Sequence, residues 1–196
     1  MSKTVKHYDM LIEENNDPVY DSEEMKEYMK KWDGQSFLNA MELDLTKAVL
    51  EVGVGTGRIA INVVPYCRSF TGIDFSTKTI ERAKKNLAYE NVILICDDFL
   101  KYDFTSKYDV VYSSLTFMHF KNKKDTILKI YDLINENGRF VLSIDKNQSS
   151  TINNGNRIIE IYPDDPLAIE KYIINSGMKV IDKFETDFAI IFVAMK

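Results

Sequence analysis

From residue 47 onward, short runs of β-branched and apolar residues alternate with stretches whose apolar positions recur at helical spacing. That alternation predicts a parallel sheet with crossover helices, because parallel strands need a long return connection. Strands are expected at Ala48 to Val52, Ser69 to Ile73, Val92 to Cys96, Asp109 to Leu115 and Arg139 to Ile144. Arg58 to Val64 is expected to form a helix closed by Pro65. A second helix follows Ser76 as its cap, with Ile80, Ala83 and Leu87 on one stripe. A third, starting near Asp125, places Ile127, Ile130, Tyr131 and Ile134 on one face and stops at Gly138. After a polar loop containing Asn153, Asn154 and Gly155, Asp165-Pro166 opens a last helix that Gly177 ends. The final strands, Lys179 to Phe184 and Phe188 to Ala194, are joined by so short a turn that they must pair antiparallel. The fold class is therefore α/β: a doubly wound sheet of seven strands, mostly parallel, with an antiparallel last strand.

The segment before the first strand differs. Glu23 to Trp32 reads as a helix with Met25, Tyr28, Met29 and Trp32 on one face. Residues 1–46 are expected as an N-terminal helical cap over one end of a 47–196 core, the whole forming a single domain. Composition agrees with a globular chain, at 45% hydrophobic and 28% charged residues. The longest apolar run falls far short of a bilayer span, and Lys3 and Lys6 precede no apolar stretch, so a cytoplasmic protein without membrane contact is expected. Cys67 and Cys96 lie in apolar contexts without metal-ligand spacing and read as small core residues; no metal site is expected. The formal charge of −5 disfavours nucleic acid as a partner. It is unevenly spread: Asp9 to Glu27 holds eight acidic residues and one basic, a local −7 that leaves +2 for the rest.

The turn after the first expected strand carries the candidate chemistry. Glu51-Val52-Gly53-Val54-Gly55-Thr56-Gly57-Arg58 sets three glycines at alternate positions between a strand and a following helix. Such glycines permit positive φ and let a ligand touch backbone, and the carboxyl end of the first strand is where nucleotide-like ligands bind in doubly wound sheets. A dinucleotide fingerprint requires glycine or alanine where Arg58 stands, which argues against a pyrophosphate on the helix. Asp74 ends the second strand 17 residues beyond Gly57 and can accept hydrogen bonds from both hydroxyls of a ribose. Asp97, with Asp98 beside it at the end of the third strand, can accept an exocyclic adenine amine. Phe75 and Phe99 flank these positions and can sandwich a purine. Plainer readings stand beside these: glycines that only turn, aspartates that only cap and aromatics that only fill the core; Arg58 either reaches a carboxylate of the ligand or, as the favoured reading, points to solvent.

Taken together, these residues make the chain resemble the class I S-adenosylmethionine-dependent methyltransferases of small-molecule type, over roughly residues 47–196. Glu51 to Gly57 is similar to that family's first motif, Asp74 to its ribose-binding acidic residue, Asp97 to its adenine-side acidic residue, and the closing hairpin to its reversed last strand. The resemblance implies a Rossmann-like core, S-adenosylmethionine as cofactor, and in-line methyl transfer to a small molecule. It also implies that backbone around Gly53, Gly55 and Ser113 holds the methionine part, with Glu51 orienting it through water. A non-catalytic S-adenosylmethionine-binding or scaffold protein is the competing expectation.

Transfer from a sulfonium needs alignment more than a base, so the pattern assigns no catalytic residue; His119, Tyr20 and Tyr8 are the candidates. His119 closes the segment Ser113-Ser114-Leu115-Thr116-Phe117-Met118-His119, where a pocket-lining role ranks ahead of general base. Members of the resembled class that methylate base amines or glutamine amides carry a Pro-Pro-Tyr-like segment there, and Ser113-Ser114-Leu115 is not one. With the acidic balance, this points to a small-molecule substrate. Tyr8, Tyr20, Tyr28 and Trp32 can wall its pocket or simply pack the cap. The acidic run is either a solvated face or a device favouring a cationic substrate.

Overall fold

The structure, a computed structural model, describes residues 3–155 and 157–196. Three helices come first: α1 (Lys3–Glu13), α2 (Glu23–Met29) and α3 (Gly34–Ala40). Then follow β1 (Ala48–Val52), β2 (Ser69–Asp74), α4 (Thr77–Asn86), β3 (Val92–Cys96), β4 (Tyr108–Ser114), α5 (Lys123–Leu133) and β5 (Ile134–Asp145). The hairpin β6 (Thr151–Asn154) and β7 (Arg157–Glu160) precedes α6 (Pro166–Asn175), β8 (Lys179–Glu185) and β9 (Ala189–Met195). Seven strands form one sheet in the order β3-β2-β1-β4-β5-β9-β8. β9 alone is reversed, pairing antiparallel with both β5 and β8. The chain winds outward from β1 to β3 and returns to place β4 on the other side of β1, so the switch point lies at the carboxyl ends of β1 and β4.

Both faces of the sheet are buried, which is why its inner strands read as continuous apolar runs. Ala48, Leu50 and Val52 of β1 face Ile127 and Ile130 of α5 and Ile169 and Ile173 of α6. Val49 faces the other layer, with Val63, Val64, Ile80 of α4 and Phe37 of α3. Ser76 caps α4 by accepting from the Thr79 N–H, and Asp165 caps α6 ahead of Pro166, both as expected.

Several expectations are corrected. Residues 58–64 form no α-helix; 3-10 turns at Ala60–Asn62 and Val64–Tyr66 replace it. Ile59, Ile61, Val63 and Val64 are all β-branched, and Pro65 removes a donor, so a helix this short has little to hold it. α5 ends at Leu133, not Gly138, because the chain enters β5 directly at Ile134. The expected polar loop is the β6–β7 hairpin, with Ile152 opposite Ile159. Cys67 is buried as expected, but Cys96, on edge strand β3, is exposed.

The N-terminal segment divides. α4 packs on β2 and β3, and α3 supplies cover on the same face nearer β5, with Phe37 and Met41 fully buried. α1 instead rests on α4 and β7. Among the described residues, no helix is long and apolar enough to cross a membrane.

Candidate active site

After β1 the chain turns through positive φ at Gly53 (82°), Gly55 (56°) and Gly57 (100°), but the three glycines answer different needs. A Cβ on Gly53 would collide with the Thr116 side chain, and one on Gly57 would lie 2.9 Å from Leu87 Cδ1. These two are required by neighbouring protein atoms. A Cβ on Gly55 would meet nothing within 4 Å, because its backbone faces a cavity of about 250 Å³.

Of the expected residues, Glu51, Gly53, Gly55, Asp74 and Phe75 line this cavity. The Asp74 carboxylate accepts from the Gly55 N–H at 3.1 Å and the Ser76 N–H at 2.9 Å, which leaves lone pairs on both oxygens. Burial raises its carboxyl above the usual range, against the lowering effect of those two donors. Glu51 accepts from the Tyr112 hydroxyl at 2.7 Å, and burial pushes its carboxyl up to about 8.

Of the other residues weighed, Ser113, Phe99, Asp97 and Asp98 lie outside the cavity, whereas Arg58 lines it. Ser113 is fully buried and donates its hydroxyl to the Val52 carbonyl at 2.9 Å; the lining passes to Ser114, Leu115 and Thr116. Phe99 is a core residue, with ring centroids 5.7 Å from Phe104 and 6.0 Å from Phe120, and so sandwiches no purine. The Asp97 N–H donates to the Asp74 carbonyl at 3.0 Å, one strand over, but its exposed carboxylate accepts from the Asp98 N–H. Asp98 accepts from the Leu100 N–H and pairs with Lys101 at 3.2 Å, away from the cavity. Arg58 is not solvated: both its terminal nitrogens bond Asp33, at 3.1 and 2.5 Å, and the Ser114 hydroxyl donates to the same carboxylate at 2.9 Å.

Two catalytic candidates come together. The Tyr8 hydroxyl is hydrogen-bonded to His119 Nε2 at 2.8 Å, and both side chains line the cavity. Burial lowers His119 to about 4, leaving a neutral imidazole at physiological pH, and raises the Tyr8 phenol above its ordinary value. Tyr20 is 72% exposed and does not line the cavity. Residues that the pattern reading missed come from the roof: Leu11 and Ile12 of α1, with Pro18 and Met29. The spacing of Tyr8, Leu11 and Ile12, at i, i+3 and i+4, is the signal that marks this face.

The acidic run is largely spent on mooring that roof. Asp9 accepts from the Ser76 hydroxyl at 2.7 Å, Glu13 pairs with Lys78, and Glu14 binds Arg157 in a fork at 2.6 and 2.7 Å. Asp17 pairs with Arg82 at 3.2 Å and accepts from the Asn86 amide. Half of the eight acidic side chains thus reach partners on the body of the protein.

A glycine turn and a buried carboxylate at the switch point of a doubly wound sheet define a protein built for a nucleoside-type cofactor. Residues 43–167 match the family described as methyltransferase domain. A malonyl-[acyl-carrier protein] O-methyltransferase of Priestia megaterium is 34% identical over 101 residues, which cover 49% of this chain and 36% of the relative. An S-adenosylmethionine-dependent methyltransferase of Mesorhizobium loti superposes with a TM-score of 0.72 at 13% identity, covering 84% of this chain and 97% of that one. The N-methyltransferase NodS of Bradyrhizobium japonicum, in complex with S-adenosylhomocysteine, gives a TM-score of 0.63 at 11% identity, covering 82% and 84%. The chain belongs to this methyltransferase family, and its fold is that of the S-adenosylmethionine-dependent methyltransferases on which it superposes. It spans 36%, 38% and 56% of the lengths of three curated relatives that it matches.

Proposed function

We propose that this chain transfers a methyl group from S-adenosylmethionine to a small-molecule nucleophile. The carrying observation is the switch-point cavity, where the Gly55 backbone is open to a ligand and the Asp74 carboxylate keeps acceptor capacity beside it. Asp74 takes the ribose hydroxyls, Phe75 lies beside the nucleoside, and Asp97 is the adenine-side acceptor. Glu51, with backbone from Gly53 to Gly55 and from Ser114 to Leu115, receives the methionine end. The bound cofactor supplies an electrophilic methyl carbon on a positively charged sulfur.

The contribution of the protein is alignment and exclusion of water. Leu11 and Ile12 roof the cavity, and the Tyr8–His119 pair closes its side. A neutral imidazole and an un-ionised phenol hold the acceptor in place; neither serves as an ionised base. Replacing Asp74 by Ala is expected to weaken cofactor binding by about 10- to 150-fold, or ~1.5–3 kcal/mol, through lost charged hydrogen bonds. Calorimetry with unchanged affinity would overturn the assignment. Labelled-methyl transfer to fractionated metabolites separates this reading from a non-catalytic binding protein, which yields no product. Relatives named for a malonyl acceptor supply the contrasting, anionic substrate.

A further inference from the structure

We propose that the methyl acceptor is a small amine, seated in a second cavity beside the cofactor cavity and recognised there by Asp145 and Asp164. This rests on the cofactor reading above and names the substrate class of that same site. The second cavity, of about 220 Å³, shares Tyr8 and Leu115 with the first, so the two open on opposite sides of one short wall. Leu115 holds φ at 53°, a left-handed conformation that non-glycine residues adopt only where their surroundings impose it. Such strain clusters at ligand sites, and here it falls where the two cavities meet.

The charge of the lining selects the acceptor. Among the described residues, Asp145 and Asp164 supply its carboxyl groups, and no Lys, Arg or His lines it. Asp164 is 2% exposed. Its Oδ1 lies 2.5 Å from Lys123 Nζ but off the hydrogen-bonding direction, and no donor completes a hydrogen bond to that oxygen. The Lys123 ammonium is directed instead to the carbonyls of Phe117 and Tyr162, at 3.0 and 2.8 Å. Asp145 accepts from Trp32 Nε1 at 3.1 Å and the Asn147 N–H at 2.7 Å, and among the described residues no cation pairs with it. The lining therefore carries one uncompensated negative charge and a buried acceptor short of donors. Asn147 also lines it, and Met118, Ile152, Ile161 and Pro163 supply its apolar part.

An amine with an apolar body satisfies this: its N–H groups supply the missing donors, and its ammonium form is attracted by Asp145. Once one proton has passed to water, the freed nitrogen lone pair takes the methyl group as the carbon–sulfur bond breaks, leaving S-adenosylhomocysteine and the methylated ammonium. A carboxylate would be repelled by Asp145, which no cation pairs with, while the nearest ammonium, Lys123, is already engaged by Asp164 and two carbonyls. An alcohol gains nothing from the charge. The outer wall comes from the β6–β7 hairpin, which Arg157 ties to Glu14 just after α1, so the contact that moors the roof also closes this cavity.

The test uses three probes of one shape and different charge, benzylamine, benzyl alcohol and benzoate, titrated calorimetrically into the full chain saturated with S-adenosylhomocysteine. Benzylamine is expected to bind at least about tenfold more tightly than either of the others. Asp145→Asn, which keeps an acceptor for Trp32, is expected to remove most of that preference and to leave S-adenosylhomocysteine affinity unchanged. S-adenosylhomocysteine binding combined with equal affinity for the probes, no benzylamine binding at millimolar concentration, or a preference that survives Asp145→Asn overturns the proposal alone. Absence of S-adenosylhomocysteine binding overturns the cofactor reading, and this proposal with it.

Discussion

Helices α1 and α3 both precede the sheet and are held to it in opposite ways. α3 buries Phe37 completely in an apolar layer with Val49, Tyr112 and Val141. The buried residues of α1 are His7 and Asp9, and its attachments are the polar contacts of Tyr8, Asp9, Glu13 and Glu14. Apolar burial is lost only when the core opens, whereas water competes for each polar contact separately. α3 therefore shares the stability of the sheet, and α1 is a local unit that opens at lower free energy. Because α1 roofs the cofactor cavity, that difference lets the site open while the core stays folded.

The comparison can be broken most sharply at α3. Phe37→Ala is expected to cost about 3–5 kcal/mol of global stability, read from the urea midpoint, because it leaves a cavity in a fully buried layer. A loss confined to local exchange near α3 would place that helix with α1 instead.

Glu51 sharpens the core side of the comparison through pH. Its carboxyl titrates near 8 in the folded chain against an ordinary 4.5, so the native state binds this proton more tightly than the unfolded state. The stability it contributes is complete below about 4.5 and is lost as pH rises through about 8. Glu51→Gln should flatten that decline, an effect on the order of a few kcal/mol across the interval, visible as a urea midpoint that varies less with pH.

On the α1 side, Asp9→Ala removes the acceptor for the Ser76 hydroxyl and is expected to loosen the helix by about 1–2 kcal/mol. Amide exchange should quicken over 3–13 and stay unchanged in β1 and β4. The smallest effect belongs to Glu14→Gln. It breaks an exposed fork with Arg157, so the urea midpoint should not move and only exchange in α1 and β7 should respond.

The sheet was legible because its strands are short, β-branched-rich and largely apolar segments bounded by glycines and caps, as at Leu50, Gly53 and Ser76. The β6–β7 hairpin was hidden by its own polarity, although Asn154-Gly155 between Ile152 and Ile158 is a turn signal of the right kind. In the site, Asp74 and Gly55 were readable because strand end and glycine spacing fix backbone position. Near the end of β4 a shift of one residue exchanges core for cavity, so Ser113 is buried while Ser114 lines the site, and Phe99 was misplaced because only packing shows that it joins Phe104 and Phe120 in the core. Arg58 was misread because its partner Asp33 lies 25 residues earlier and comes near only through the fold. The spacing of Tyr8, Leu11 and Ile12 marks an inward face of the roof, but its place over the cavity depends on long-range polar pairs such as Asp9 with Ser76, which no local periodicity encodes.

The reversed strand β9 has a consequence for the order of assembly. It lies between β5 and β8, with Ile191, Phe192, Val193 and Ala194 almost wholly buried, yet the ribosome makes it after both neighbours. Until it inserts, β5 and β8 have no common partner, and the nascent sheet presents two open edges of a kind that invite pairing with another chain. Completion of the domain therefore waits on its most recently synthesised strand. Replacing any of these four side chains by a charged one would strand the chain at that half-closed stage.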